Sequence, residues 1–299
     1  MARKVISVLV ATLCIAGMAA GLSACFGKSG AAKDDIGKFK QFLSQQVNEK
    51  TNADILAYQL DDTSTWTGVE FVEQDGQTYI TKIDIKQTGV GGSLLLAGME
   101  KLESIDCSKN ALTELDLSNN PALVTVYCND NQLTSLALEG DDKIEVLYCY
   151  GNEIAVLDVT TNVSLVRLSL SNNLIETLDL SKCTKLTELR CTFTSLSSLN
   201  LSGCEALVTL SIAHNKLTSL DVSQNPLLKG INCSYNQLTS LDFSKNSNLE
   251  TLICANNELT TMNITGCGSL KVVNCTNNAF ASEDSIIGLD QSILTDFYF

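Results

Sequence analysis

The chain has 299 residues, room for one large domain or two ordinary ones, and its 34 Asp and Glu against 20 Lys and Arg give a formal net charge of -14. That balance argues against wrapping nucleic acid or lying flat on anionic lipid, and it suits the exterior of an exported soluble domain. The first element is apolar: Arg3 and Lys4 precede the run Val5–Ala20, and "LSAC" follows at Leu22–Cys25. A charged start before a short apolar segment is the pattern of an export signal. The run is also just long enough to span a bilayer as an uncleaved anchor.

The "LSAC" end resembles the lipobox of bacterial lipoproteins. That resemblance implies a signal peptide over residues 1–24, cleavage before Cys25 and a diacylglycerol thioether on the Cys25 sulfur. Ser23 and Ala24 are small enough for a peptidase cleft, and the thiol supplies the attachment atom. An ordinary signal peptide with an incidental cysteine is the alternative. Residues 25–35, small and polar, then read as a short tether. Lipid chains would hold the remainder at a membrane, which places the protein in the bacterial cell envelope or at its surface.

Residues 36–101 read as an N-terminal cap and an irregular first coil. Ile36, Phe39, Phe42, Leu43 and Val47 fall at helical spacings. Trp66, Val69 and Phe71 are positioned to cover the first regular coil, with a hairpin at Asp75–Gly76. Ile80, Ile83, Ile85 and Val90 suggest an imperfect extra coil. The glycine-rich "GVGGSLLLAG" absorbs a one-residue irregularity; with no lysine–serine ending it is a weak phosphate-loop candidate.

From Leu102 to about Phe280 the chain repeats without a gap. Units start at Leu102, Leu123, Ile144, Leu165, Leu186, Leu207, Leu228, Leu249 and Leu270, each 21 residues after the last (123 less 102), with the pattern LxxLxCxxNxLxxLDLSxNxx. Both "LxxLxC" and "LxxLDL" end in period-two alternation, which fits short strands with one face buried. One such coil cannot bury its own apolar face, but stacked coils can, and their strands then form parallel sheets. The asparagine of the first half recurs from Asn110 to Asn278 and is broken only by Thr194; a buried amide there can satisfy turn backbone. Residues 281–299 lose the pattern. Ile286, Ile287, Leu289, Ile293 and Leu294 offer apolar cover, and "DFYF" can complete a last strand.

This pattern resembles the leucine-rich repeats, in particular the short bacterial class with an internalin-like cysteine ladder. The resemblance implies a right-handed solenoid of short parallel strands, mostly β with a small N-terminal helical cap, and usually protein or glycan binding. "WTGV" at Trp66–Val69 also resembles the segment that precedes many such arrays, without the paired cysteines of the plant versions.

Two cysteine columns run down the repeat. Cys107, Cys128, Cys149, Cys191, Cys233, Cys254 and Cys275 share theirs with Leu170 and Ile212, so the thiol acts as a small hydrophobe. Cys183, Cys204 and Cys267 share theirs with Asn120, Asp141, Asn162, Asn225 and Asn246, turn residues that put these thiols near a bend. Parallel stacking aims successive sulfurs poorly for disulfides; Cys183–Cys204 is the best candidate pair. No compact CxxC cluster follows Cys25, and one aspartate per coil (Asp116, Asp158, Asp179, Asp221, Asp242) is a poor calcium cage, so neither metal nor cofactor is expected.

The outward positions of the first strand carry the candidate ligand-binding residues: Tyr127, Tyr148 and Tyr150, then Arg190, with Phe193 and Tyr235 at the turn beyond. Exposed aromatics anchor protein or sugar ligands, although stacked tyrosines also simply cover one another, and Phe193 and Tyr235 can seal the turn. His214, the only histidine, reads as a solvated turn residue. Repetition without a unique cluster of acid, base and nucleophile argues against an enzyme. The reading is a lipid-anchored surface module that recognises a protein or glycan and not nucleic acid; the alternative is a non-catalytic structural or assembly lipoprotein. Oligomeric state stays open.

Overall fold

The computed structural model describes residues 34–299; the expected signal, Cys25 and nearly all of the tether lie outside the described residues. The first helix runs Asp35–Leu43 and buries Phe39, Phe42 and Leu43. It is shorter than its apolar spacing predicts. The chain leaves it for a two-residue hairpin in which Gln46–Val47 pairs with Lys50–Thr51. Asn48 and Glu49 between them both have positive φ, the geometry of a tight primed turn, so Val47 sits on a strand. A second short helix, Asn52–Leu56, starts with a Thr51–Asp54 capping box.

Two polar side chains fasten this cap to the array. Buried Asn52 donates to Phe42 O (3.0 Å) and Gly91 O (2.9 Å) and accepts from Gly91 N (3.1 Å). Gln45 makes a reciprocal pair with the Ser93 backbone. Trp66 is buried against Phe39 (ring centroids 5.4 Å apart), Tyr58 and Phe71, and its Nε1 donates to Gln59 O. Gly68 has φ +86°, and a Cβ there would lie 2.3 Å from Asp84 O, so the turn after Trp66 tolerates no side chain.

The strands Val69–Gln74 and Gln77–Asp84 form the expected antiparallel hairpin about Asp75–Gly76. The second of them opens a continuous parallel ladder. Three-residue strands stack from Ser104–Asp106 through Asp296–Tyr298, and with the hairpin they make one twelve-stranded sheet. Pairing steps by one repeat, as in Val126↔Leu147, which keeps every column in register. The irregular coil joins through Gly91–Leu95, whose register shifts between Gly92 and Ser93.

The second face departs from expectation. Its strands form three separate small sheets in place of one ladder: Gly91–Leu95 with Ala111–Asp116 and Ser135–Ala137; Thr177–Asp179 with Ser198–Asn200; and Ser240–Asp242 with Thr261–Asn263 and Ile286–Ile287. No strand forms around Leu157 or Leu220. Leu220 is only half-buried where Met262 is fully buried, whereas Leu157 is buried without a strand.

Between the faces runs a thin continuous core of the repeat's leucines, isoleucines and valines with all ten described cysteines. Those cysteines are free thiols, the pair Cys183 and Cys204 included. In the final coil Ile286 is buried, and Leu289 and Leu294 pack partly on the core. Ile287 and Ile293 face outward instead of adding cover; for Ile287 the reason is that a two-residue strand can bury only one of its side chains, while Ile293 ends the short turn Gln291–Ile293.

Candidate functional site

Each first-strand turn is built in the same way. The ladder asparagine reaches back to the preceding coil: Asn236 Nδ2 donates to Ile212 O and Cys233 O (both 3.0 Å), and its Oδ1 accepts from Leu217 N (3.0 Å). Thr194, the exception, keeps one of these bonds, to Cys191 O. Asn215 Oδ1 accepts from Thr194 N and also lies 2.8 Å from the Thr194 hydroxyl, whose single hydrogen is shared between the two acceptors.

The residue just before the ladder position always lies in the left-handed region. Lys109, Asp130, Gly151, Asn172, Phe193, His214, Tyr235, Asn256 and Asn277 all have φ between +54° and +67°. Glycine and asparagine enter that region cheaply; a large ring does not, and roughly 1–2 kcal/mol per residue opposes it. Three consecutive coils nevertheless place rings there. Phe193 stacks on His214 (centroids 4.0 Å apart, planes 13° apart), and His214 stacks on Tyr235 (4.1 Å, 11°).

Phe193 and Tyr235 remain 52% and 50% exposed, so they form a ridge along the edge of the twelve-stranded sheet. His214 is therefore a half-buried ring between two others, not a solvated turn residue. Its column of turn residues was visible in the sequence. The sequence signal of the stack is the run of three aromatics in a column otherwise filled by small, polar or charged residues.

A second cluster lies toward the N-terminal end of the same sheet. Tyr127 and Tyr148 pair across adjacent strands and meet edge to face at 5.3 Å. All three of Tyr127, Tyr148 and Tyr150 are half-buried. Burial raises the Tyr150 hydroxyl above its usual range, and Asp130, Tyr148 and Asp106 add to the effect. Arg190 stands exposed on its own coil, with Nε on Glu188 Oε1 of the same strand, and it joins neither cluster. Thus the six candidate residues resolve into a tyrosine group, an aromatic ridge containing Phe193 and Tyr235, and a separate ion pair.

The second face shows repeated acceptors with a structural role. Asp116, Asp158, Asp179, Asp221 and Asp242 each accept the backbone N–H two residues on, and Asn200 and Asn263 do the same in register. Hydrogen bonds from Thr160 hold the Asp158 carboxyl below its usual range, and the bonds from Ser181, Ser223 and Ser244 do so for Asp179, Asp221 and Asp242.

Deep in the turn that follows, buried Asn162, Asn225 and Asn246 donate to two carbonyls of the preceding coil; Asn162, for example, bonds Leu138 O and Asp141 O. The second set of cysteines takes the same place. Cys204 Sγ reaches Leu180 O, and Cys267 Sγ reaches Phe243 O and Asn246 O, so these thiols are inside the bend and act as weak donors in an asparagine's position. Burial pushes the Cys149 and Cys233 thiols up to about 12.

No family model matches the chain, and comparison with curated proteins finds no match. Among solved structures, the chain is similar to the functional domain of InlJ from Listeria monocytogenes, described as including a cysteine ladder. The two share 33% identity over 67% of this chain and 46% of that one, with a TM-score of 0.60. A leucine-rich repeat protein of Leptospira interrogans matches at 22% identity over 62% of this chain and 51% of its own, TM-score 0.56. YopM from Yersinia enterocolitica matches at 24% over 70% and 49%, TM-score 0.52. The chain spans about half the length of these structures. Its fold is that of the bacterial leucine-rich repeat solenoids, and its cysteine ladder has a counterpart among them.

Proposed function

We propose that this chain is a non-catalytic recognition module, exported and lipid-anchored through Cys25, that binds a partner protein or a glycan along the outward side of its twelve-stranded sheet. The Phe193–His214–Tyr235 ridge carries this reading. Rings in a backbone region that favours asparagine or glycine oppose stability, and strained positions of this kind cluster at functional sites. The tyrosine pair Tyr127–Tyr148 offers a second anchor on the same sheet, and Arg190 a polar contact between the two.

The test is a binding screen of the purified protein against host proteins, envelope proteins and glycans. It runs beside a Phe193→Asn/Tyr235→Asn variant and a Tyr127→Ala/Tyr148→Ala variant. A saturable ligand lost in either variant supports the reading. A ligand retained by both sinks the proposed face, and a folded, monodisperse protein with no ligand turns the reading toward a structural or assembly role. Membrane anchoring is tested separately: Cys25→Ala should move the full chain out of the membrane fraction of an expressing bacterium.

A further inference from the structure

The second face repeats its outward residues coil after coil. In seven of the first eight coils, from Thr113–Glu114 to Thr260–Thr261, the two positions leading into the short strand carry at least one hydroxyl. The third coil alone carries none; it places Ala155 and Val156 there. Val156 is 80% exposed, more than any other large hydrophobic residue described. The strand is lost in the same coil, so Ser135–Ala137 of the coil before is left as the edge of its small sheet. A cavity of about 280 Å³ opens beside that edge. Leu136, Ala137 and Leu138 line it, and Glu139 and Asp158 bring carboxylates to it.

The charge around this seam is one-sided. Stretches 113–119, 134–140, 155–161 and 176–182 hold six carboxylates and one lysine, whereas the matching stretches of the next four coils hold two carboxylates and one lysine. No ion pair among the described residues engages Glu139, Asp158 or Glu176. Asp158 spends Oδ1 on the N–H and hydroxyl of Thr160, which leaves Oδ2 for a partner. We propose that the seam between the second and third coils docks a basic segment of a partner protein. One aliphatic side chain of the segment enters the cavity against Leu136 and covers Val156, and lysine or arginine residues on either side of it pair with Glu139 and Asp158.

Each half of the surface selects one feature of the occupant. The cavity is smaller than the roughly 300–1,000 Å³ that holds a small molecule, and it suits a single side chain. Its apolar wall rewards an aliphatic group. The unpaired carboxylates around it favour cationic neighbours and repel nucleic acid, anionic lipid and acidic segments. The seam lies across the core from the twelve-stranded sheet, so it shares no residue with the aromatic ridge or the tyrosine pair, and its binding can be lost without theirs.

The test titrates the purified protein into three labelled peptides, Lys-Arg-Leu-Arg-Lys, Lys-Arg-Gly-Arg-Lys and Glu-Ser-Leu-Ser-Glu, followed by fluorescence anisotropy. The basic leucine peptide should bind saturably, roughly tenfold or more tighter than its glycine control, and weaken as salt rises; the acidic peptide should not bind. Hydrogen-exchange protection on binding should fall on 134–140 and 155–161 and not on the twelve-stranded sheet. Ala155→Thr/Val156→Ser gives this coil the residues of its neighbours; it should fold as wild type does, by circular dichroism, and bind the leucine and glycine peptides alike. Glu139→Lys should weaken both basic peptides. Equal binding of the two basic peptides by wild type would overturn the proposal, since an acidic chain attracts any cation. So would protection confined to the twelve-stranded sheet, or no saturable binding of the leucine peptide up to about 1 mM. A dimer of the protein alone that sedimentation detects and Ala155→Thr/Val156→Ser abolishes would also overturn it, by giving the seam to a second copy.

Discussion

Replacing Asn236 with alanine tests whether the asparagine ladder holds the coils together. The substitution removes the hydrogen bonds of about 3.0 Å that Asn236 makes in a buried turn and leaves Leu217 N–H without a partner, while the carbonyls of Ile212 and Cys233 keep those from Asn215 and Asn257. At about 1–3 kcal/mol for the one buried N–H left unsatisfied, and about 0.5–1 kcal/mol net for the bonds lost to the two carbonyls, the expected loss is about 2–4 kcal/mol. Urea denaturation followed by far-ultraviolet circular dichroism measures it. Asn236→Thr should recover part of the loss, since Thr194 holds the same place through its hydroxyl. A loss below about 1 kcal/mol for Asn236→Ala would refute the reasoning, because the Leu217 N–H would then have found another partner at little cost.

Phe193→Asn/Tyr235→Asn should leave the melting temperature unchanged or raise it, since asparagine enters the left-handed region more cheaply than a ring; a marked fall would show that the ridge is structural cover. Trp66→Ala should cost about 3–5 kcal/mol and loosen the N-terminal cap first, read as faster hydrogen exchange over residues 35–85 than over the later coils. With the Cys149 and Cys233 thiols pushed up to about 12, less than about one in a thousand is thiolate at pH 8. The ten described cysteines should therefore stay unreactive toward a thiol reagent until denaturant is added, and rapid labelling of the folded protein would contradict their burial. Acid should weaken the turns of the second face. Asp158, Asp179, Asp221 and Asp242 sit below their usual 3.8, so the small support their turns give is present above that value and fades as pH falls through the folded values. Carboxyl titrations followed by nuclear magnetic resonance would reveal it.

Much of the site was legible in the columns of the repeat. Tyr127 and Tyr148 were placed as neighbours from spacing alone, and they touch. Arg190 was grouped with the aromatics because it shares their column, yet a column fixes only the face of the sheet. Its guanidinium is held by Glu188, two residues back, which no repeat position announces. His214 was misread because a lone histidine in a turn column looks solvated until the rings one coil away on either side close on it.

What the sequence by itself determined is the repeat. A 21-residue period with leucines inward and an asparagine at each turn admits one economical burial, coils stacked in register, and every column follows from it. The tertiary structure decided what period alone leaves equivalent. It closed one face into a twelve-stranded ladder and left the other in three pieces, since how tightly two coils stack depends on side chains from both. It also placed Asp141 as Asn120 is placed, with Oδ1 accepting a backbone N–H of the preceding coil. In the sequence an aspartate in an asparagine column reads as conservative; in the fold it is a buried acid with an unpaired oxygen, because only there are the hydrogen-bond partners of each side chain defined.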